Sequence, residues 1–233
     1  MVKTFLSEGA TVHFCSRSED DIQAANTSLA TAYPSAKAHG TRVDISSPEA
    51  LKTWVNDSAT LSGAIDVIVA NVSAISTPGA PEPWKGAFDV DMMGTVNLVA
   101  AAQPFLEKSK GNIIAISSVS GRDVDFTAPG PYGAMKAALI HYMAQLAHTL
   151  APKGVRANTV SPGNIYIEDG IWGDIERGHP EVFKKQMALN PMGRMGKAEE
   201  IADVVAFVAS ERAAFVSGSN LTVDGALCTG VQF

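Results

Sequence analysis

Cysteine is scarce in this chain: Cys15 and Cys228 are the only two among 233 residues. Two thiols so far apart in sequence have neither metal-ligand spacing nor the density of a disulfide scaffold, so they read as reduced core or near-core groups, and no metal site is expected. Long apolar runs are also missing. None approaches the ~18 residues of a spanning helix, so no membrane segment is expected. Lys3 is followed by only Thr4-Phe5-Leu6 before Ser7-Glu8, which does not read as a secretory signal. Positive charge is in deficit: 18 Lys and Arg against 24 Asp and Glu give a net charge of −6. That balance argues against nucleic acid or an anionic membrane as partner, and with reduced thiols it fits a cytoplasmic protein. Internal repeats and low-complexity tracts are absent. Pro78, Gly79, Pro81 and Pro83 stiffen one loop without marking a linker, so residues 1–233 read as a single domain.

What is present alternates strand and helix. Thr11–Cys15 reads as a short apolar strand, Glu19–Tyr33 as a helix and Thr41–Asp44 as the next strand. Ser47-Pro48-Glu49 opens a helix, with serine as cap and proline at the first position. Ile65–Ala70 is a near-continuous apolar run of the kind buried on both faces of a parallel sheet. Trp84–Leu106 reads as helix, Asn112–Ser117 as strand, Tyr132–Ala151 as helix and Arg156–Ser161 as strand. A helix over Glu199–Ser210 and a strand over Asn220–Val223 follow. Such alternation specifies an α/β fold around a parallel sheet.

The chemistry concentrates where the apolar run Ile113-Ile-Ala-Ile116 delivers Ser117 and Ser118, and where the following helix carries Tyr132 and Lys136. Residues i and i+4 share one helix face, which places the lysine beside the tyrosine. A phenol is a poor acid or base near neutrality, and a neighbouring cation favours its ionised form. A tyrosine tuned in this way can pass a proton to or from an alcohol or carbonyl oxygen that Ser118 holds, which is the proton half of carbonyl reduction.

These residues resemble the short-chain dehydrogenases/reductases. The likeness covers nearly the whole chain through Glu8-Gly-Ala-Thr-Val12, Val43-Asp44, Val69-Ala-Asn71, Ser118, Tyr132 with Lys136, Ser161-Pro-Gly163, Arg194-Met-Gly196 and Val223-Asp-Gly225. The resemblance implies a doubly wound, Rossmann-like parallel sheet, a nicotinamide cofactor and a serine–tyrosine–lysine proton relay. In it, Tyr132 is the general acid or base, Lys136 lowers its pKa and holds the nicotinamide ribose, and Ser118 binds the substrate oxygen. The family's relay asparagine is matched by Asp91, which either pins Lys136 in an ion pair or simply replaces the amide; the sequence leaves both open. A homotetramer or homodimer is implied as well.

Family members usually open with a strand and a glycine-rich turn. Met1 to Gly9 instead reads as the second half of the first helix, so about thirty residues, half of a βαβ unit, are expected to be absent, including the first, central strand. An incomplete reading of a longer chain and a genuine short form with impaired cofactor binding both fit. A sheet without that strand is expected either to close by pairing its neighbours, Thr11–Cys15 and Ile65–Ala70, or to be distorted.

By the same resemblance, the residues closing the Thr11–Cys15 strand choose the cofactor. Ser16 offers no carboxylate for the ribose of NAD, and Arg17 offers a planar fork for the 2′-phosphate of NADP, although Glu19, Asp20 and Asp21 follow closely. NADP is therefore expected over NAD. Asp44 is placed to contact adenine, Asn71 follows a strand end facing the cofactor, and Pro162, Gly163 and Ile165 lie near the nicotinamide. Ile167 stands where the family often has threonine. Arg122 and Asp125, in the loop before Tyr132, are candidate substrate contacts or parts of a solvated turn. Tyr166 and Trp172, with Ile171 and Phe183, suggest a lid over the substrate, with a helical core as the alternative for Trp172 and Phe183. The reading is an NADP-dependent oxidoreductase acting on a ketone/secondary alcohol pair. A non-redox isomerase, dehydratase or cyclase on the same fold is the alternative, motivated by Asp91, Arg122 and Asp125.

Overall fold

The strand Asn112–Ile116 (β4) is buried along its whole length, and its side chains alternate between two cores. Ile113 and Ala115 join one with Leu51, Val55, Val99, Leu106 and Met143, while Ile114 and Ile116 join the other with Val160, Ile201, Val205 and Val208. A strand with an apolar core on each face is the sequence signature of a doubly wound sheet, and that is the architecture seen in the computed structural model, which describes residues 1–35, 37–74, 81–125, 128 and 130–231. Pro78 and Gly79, and Phe126, Thr127 and Pro129 of the loop before Tyr132, lie outside the described residues.

The chain opens with helix α1 (Val2–Ser7), strand β1 (Val12–Ser16), helix α2 (Glu19–Ala32), strand β2 (Ala38–Arg42), helix α3 (Pro48–Ser62) and strand β3 (Val67–Ala70). Helix α4 (Pro81–Ala87) passes through a π-helical turn (Phe88–Met93) into α5 (Gly94–Ser109), and β4 follows. A 3₁₀ turn (Val119–Gly121), α6 (Pro131–Leu150) and β5 (Arg156–Pro162) come next. The last part holds β6 (Ile165–Tyr166), α7 (Ile171–Gly178), α8 (Pro180–Ala188), β7 (Gly196–Lys197), α9 (Ala198–Ala209) and β8 (Asn220–Val223). The helix starts follow capping chemistry: the Ser18 hydroxyl accepts from Asp21 N–H, and Ser47 accepts from Ala50 N–H ahead of Pro48.

All the strand pairs are parallel: β3-β4-β5-β8 form one sheet, β1-β2 a second and β6-β7 a third. Among the described residues β1 and β3 do not pair, so of the two outcomes expected for a sheet without a central strand, closure by pairing does not occur. Met1 and Phe5 of α1 instead pack with Val67 and Val69 of β3 against the α9 core.

Three other expectations need correction. The second strand runs Ala38–Arg42 rather than Thr41–Asp44, because pairing with β1 sets it: Val12 stands opposite Ala38 and Ser16 opposite Arg42. Ala, His and Gly are weak strand formers, so only the end of this strand showed in the sequence. The helix expected over Trp84–Leu106 extends over Pro81–Ser109 and is interrupted by the π-helical turn, which no periodicity announced. The strand expected over Ile65–Ala70 starts only at Val67, and the segment of Tyr166, Trp172 and Phe183 holds strand β6 and helices α7 and α8. Both cysteines are free thiols, and no described helix is long and apolar enough to cross a membrane.

Candidate active site

Parallel sheets place their ligands at the carboxyl ends of the strands. At that end of β4 the chain leaves the sheet as Ser117-Ser118, and Ser118 caps the 3₁₀ turn by accepting the Ser120 N–H at 3.1 Å. The Ser117 hydroxyl donates to the Lys136 carbonyl at 2.8 Å, tying strand end to helix α6. This junction is close enough that a Cβ on Gly121 would meet the Lys136 carbonyl carbon at 2.6 Å, and one on Gly133 would meet the Ser120 carbonyl oxygen at 2.5 Å. Two glycines thus let the serine turn lie directly on the helix that carries Tyr132 and Lys136.

The four residues expected to do the chemistry come together. Tyr132 stands near Ser118, whose side chain acts on its phenol. Lys136 is 2% exposed, and its ammonium donates to the Val72 carbonyl at 2.9 Å and the Ile116 carbonyl at 3.3 Å. Its Nζ also lies 3.0 Å from Oδ1 of Asp91, an equally buried carboxylate on the π-helical turn. That contact is an ion pair by distance, while Oδ1 has no hydrogen bond of proper angle; Oδ2 accepts the Ala74 N–H at 3.0 Å. Of the two roles open to Asp91, the geometry is that of a pinned lysine.

The pinning corrects the expectation for Tyr132. Its pKa is raised, first by burial and then by the charges of Asp91 and Asp125, with only the Ser118 hydrogen bond pulling the other way. Lys136 pairs with Asp91 and stands over the ring, 5.7 Å from the centroid. Burial lowers the pKa of Lys136 itself, and Asp91 opposes that shift.

The carboxyl ends of the other strands hold the remaining candidates. Ser16 ends β1, and exposed Arg17 follows it. Asp44 lies just past β2, with Oδ1 accepting from the Ser46 N–H at 3.0 Å and hydroxyl at 2.7 Å. Those bonds and the charges of Arg17 and Arg42 hold its carboxyl below the usual range. Asn71 follows β3 and is exposed. Pro162 and Gly163 end β5, where a Cβ on Gly163 would meet that of Asp224 at 2.7 Å.

A family model described as enoyl-(acyl carrier protein) reductase matches residues 1–227. An isoepoxydon dehydrogenase of Penicillium expansum is 41% identical over 100% of this chain and 91% of its own length. An L-fucose dehydrogenase of Bos taurus is 31% identical over 97% of this chain and 83% of its own. A solved short-chain type dehydrogenase/reductase from Mycobacterium ulcerans, 23% identical, superposes with a TM-score of 0.88 over 95% of this chain and 82% of that one, a likeness of fold. The chain belongs to the short-chain dehydrogenase/reductase family. It is an enzyme of the NAD(P)-using oxidoreductases that act on CH–OH and C=O groups.

The donor set fits the two ends of the family's cofactor. Arg17 and Arg42, at adjacent strand ends, bring two positive charges together, and the Arg42 Nε–H donates to the Arg17 carbonyl at 3.2 Å. Lys136, Pro162 and Gly163 stand at the catalytic end. Arg42 was missed in the sequence reading because it seemed to lie within a strand; its place directly before Val43-Asp44 was the available signal.

Other candidate contacts are directed elsewhere. The Arg122 guanidinium donates to the Gly230 carbonyl and lies 3.6 Å from Asp123, which ties the loop to the C-terminal segment. The nearby Cys228 thiol is half-buried, and desolvation with the neighbouring Asp224 and Asp123 pushes its pKa up to about 12. Ile165 packs with the α9 core, the Tyr166 hydroxyl donates to Glu176 on α7, and the Tyr166 ring meets Phe183 edge-on at 6.0 Å. Trp172 is half-buried in α7. Asp125 accepts a hydrogen bond from Ser120, a residue to which the sequence reading gave no role.

Proposed function

We propose that this short-chain dehydrogenase/reductase interconverts a ketone and a secondary alcohol using NADP. The observation that carries the reading is that Ser118, Tyr132 and buried Lys136 stand together at the carboxyl end of β4. Tyr132 exchanges the proton with the substrate oxygen, and Ser118 holds that oxygen in line. A raised phenol pKa keeps Tyr132 protonated at neutral pH, which suits it as the donor in reduction. Lys136, anchored by Asp91 and two carbonyls, presents a fixed positive charge at the catalytic end. A bound nicotinamide supplies or accepts the hydride. Arg17 and Arg42 favour NADP through the 2′-phosphate, while Asp44 lies beside them at the adenosine end. The relative named for isoepoxydon makes that compound the first substrate to try. The family likeness supports a homo-oligomer.

The test combines fluorescence titration with NADPH and NADH and a substrate screen on wild type and Tyr132→Phe. We expect NADPH to bind more tightly than NADH. The variant should bind cofactor normally and lose about 10²-fold or more in turnover, the scale of general acid catalysis. Binding of neither cofactor, or full activity without the hydroxyl, would overturn the reading.

A further inference from the structure

Strand β2 is the outer strand of its two-stranded sheet, and among the described residues it pairs only with β1. Val12 N–H donates to the Lys37 carbonyl at 2.8 Å and Val43 N–H to the Ser16 carbonyl at 2.9 Å, so the odd-numbered residues of this stretch turn their backbone groups toward β1. The N–H and C=O groups of Ala38, Gly40 and Arg42 therefore face away from it, along an edge of the kind that accepts a further strand. The edge is reachable: a groove of about 830 Å³ follows it from Ala38 to Val43 between α2 and α3. No proline or bulge interrupts β2, whose register against β1 is continuous from Ala38 to Arg42. Its middle is closed instead by one side chain. Asn26 of α2 donates from Nδ2 to the Gly40 carbonyl at 3.3 Å and accepts the Gly40 N–H on Oδ1 at 3.0 Å. A carboxamide offers the same donor and acceptor as a peptide group, so Asn26 stands in for a neighbouring strand. Gly40 makes this approach possible. A Cβ there would meet both Asn26 Oδ1 and Phe14 Cζ at 2.6 Å. The φ of Gly40 is not positive, so it is the space, and not the backbone angle, that calls for glycine.

We infer that Asn26 is an edge cap, and that the strand it excludes is β2 of a second copy of this chain. The inference is independent of the catalytic reading. Two β2 strands set antiparallel about Gly40 place Gly40 opposite Gly40 and Ala38 opposite Arg42. The outward-facing residues are Ala38, Gly40 and Arg42, so each of them falls at a hydrogen-bonded pair of the antiparallel ladder. Every N–H and C=O left open on one copy then finds its partner on the other. No side chain stands at the two-fold axis, because position 40 has none. Such a self-matching edge makes an isologous contact from a single kind of chain. The cap opposes that contact at its centre. In the separate chain both Gly40 groups are already bonded to Asn26, and pairing has to break those bonds before it gains its own at that position. The carboxamide also fills the space that the incoming backbone needs. With the central pair blocked, the ladder between copies is interrupted at its axis.

The experiment compares wild type, Asn26→Ala and the double variant Asn26→Ala/Ala38→Pro by sedimentation equilibrium over a range of protein concentrations. Whatever assembly the wild type forms through other surfaces is the baseline. We expect the mass of Asn26→Ala to rise about twofold over that baseline with concentration, as an added two-fold contact requires. Proline at position 38 removes an outward N–H and leaves the ladder to β1 intact, so the double variant should return to the baseline. Amide hydrogen exchange read by NMR should find Gly40 protected in wild type while Ala38, on the same edge, exchanges freely. In Asn26→Ala at low concentration the Gly40 amide should exchange as fast as that of Ala38. Asn26→Ser, too short to reach Gly40, gives the same readings should the alanine variant fail to fold. A folded variant with wild-type mass at every concentration would overturn the excluded contact. So would a gain in mass that survives Ala38→Pro, because it places the contact on another surface. Rapid exchange of the wild-type Gly40 amide would overturn the cap itself. None of these readings depends on activity, so they stand apart from the fate of the NADP-dependent reaction.

Discussion

Lys136 Nζ and Asp91 Oδ1 stand 3.0 Å apart with both side chains 2% exposed, so the lysine beside Tyr132 is paired with a carboxylate from the π-helical turn. Removing one partner of a buried pair strands the other charge. Asp91→Asn should therefore lower stability by about 3 kcal/mol, measured by urea unfolding. It also removes a negative charge that raises the Tyr132 pKa and releases positive charge beside the phenol. Both changes favour the phenolate. The pH profile of alcohol oxidation, which needs the phenolate, should then move to lower pH. A profile that stays in place would show that the Asp91 charge does not reach the hydroxyl.

Arg17 and Arg42 flank the carboxyl ends of paired strands, and among the described residues neither forms an ion pair with a carboxylate. If they hold the 2′-phosphate, replacing either with alanine should weaken NADPH binding about tenfold or more, the scale of a hydrogen bond to a charged group. NADH binding should change little. The NADPH effect should shrink with added salt, since both arginines are exposed or close to solvent. Equal losses for both cofactors would remove the 2′-phosphate role.

Gly121 and Gly133 set how closely the serine turn lies on α6. A methyl at 121 would stand 2.6 Å from a backbone carbon of Lys136, which no side-chain adjustment can relieve. Gly121→Ala should cost about 1–3 kcal/mol and should lower kcat/KM by displacing Ser118 from Tyr132. Gly86→Ala on α4, where a Cβ meets nothing within 4 Å, is the neutral control. Thermal unfolding and steady-state assays on the two variants separate the effects.

Glu200 at the start of α9 accepts both Arg194 Nη groups, at 2.6 and 2.7 Å, and the Lys197 N–H at 2.8 Å. Those bonds lower its pKa from 4.5 to about 2. A carboxyl whose folded-state pKa is depressed contributes stability above its unfolded value and loses it as pH falls through the folded one. Wild-type stability should therefore decline between about pH 4.5 and 2, and Glu200→Gln should flatten that part of the curve. Urea unfolding across this window decides; identical curves would show that the exposed group contributes nothing.

Much of the site was legible because its chemistry is local. Tyr132 and Lys136 share a helix turn, and Ser118 ends an apolar strand, so spacing alone grouped them. Arg17, Asp44 and Gly163 were picked out by the resemblance to the family, which implies cofactor contacts at strand ends. The Asp91–Lys136 pair was not decidable, because the two lie 45 positions apart in sequence and their distance depends on how the π-helical turn packs on α6. The Ser120–Asp125 hydrogen bond was hidden for a similar reason: in a loop without periodicity, nothing in the order of residues says which way a hydroxyl points.

The sequence by itself determined the α/β alternation, the doubly apolar β4 and the serine, tyrosine and lysine that the family shares, since these follow from periodicity and fixed spacing along one element. Tertiary structure alone decided the electrostatics. It paired Lys136 with Asp91, raised the Tyr132 pKa instead of lowering it, turned Arg122 toward Gly230, and left β1 and β3 unpaired with each other. Coulomb energies and hydrogen bonds depend on separation and burial in space, and residues distant in sequence acquire both only when the elements pack.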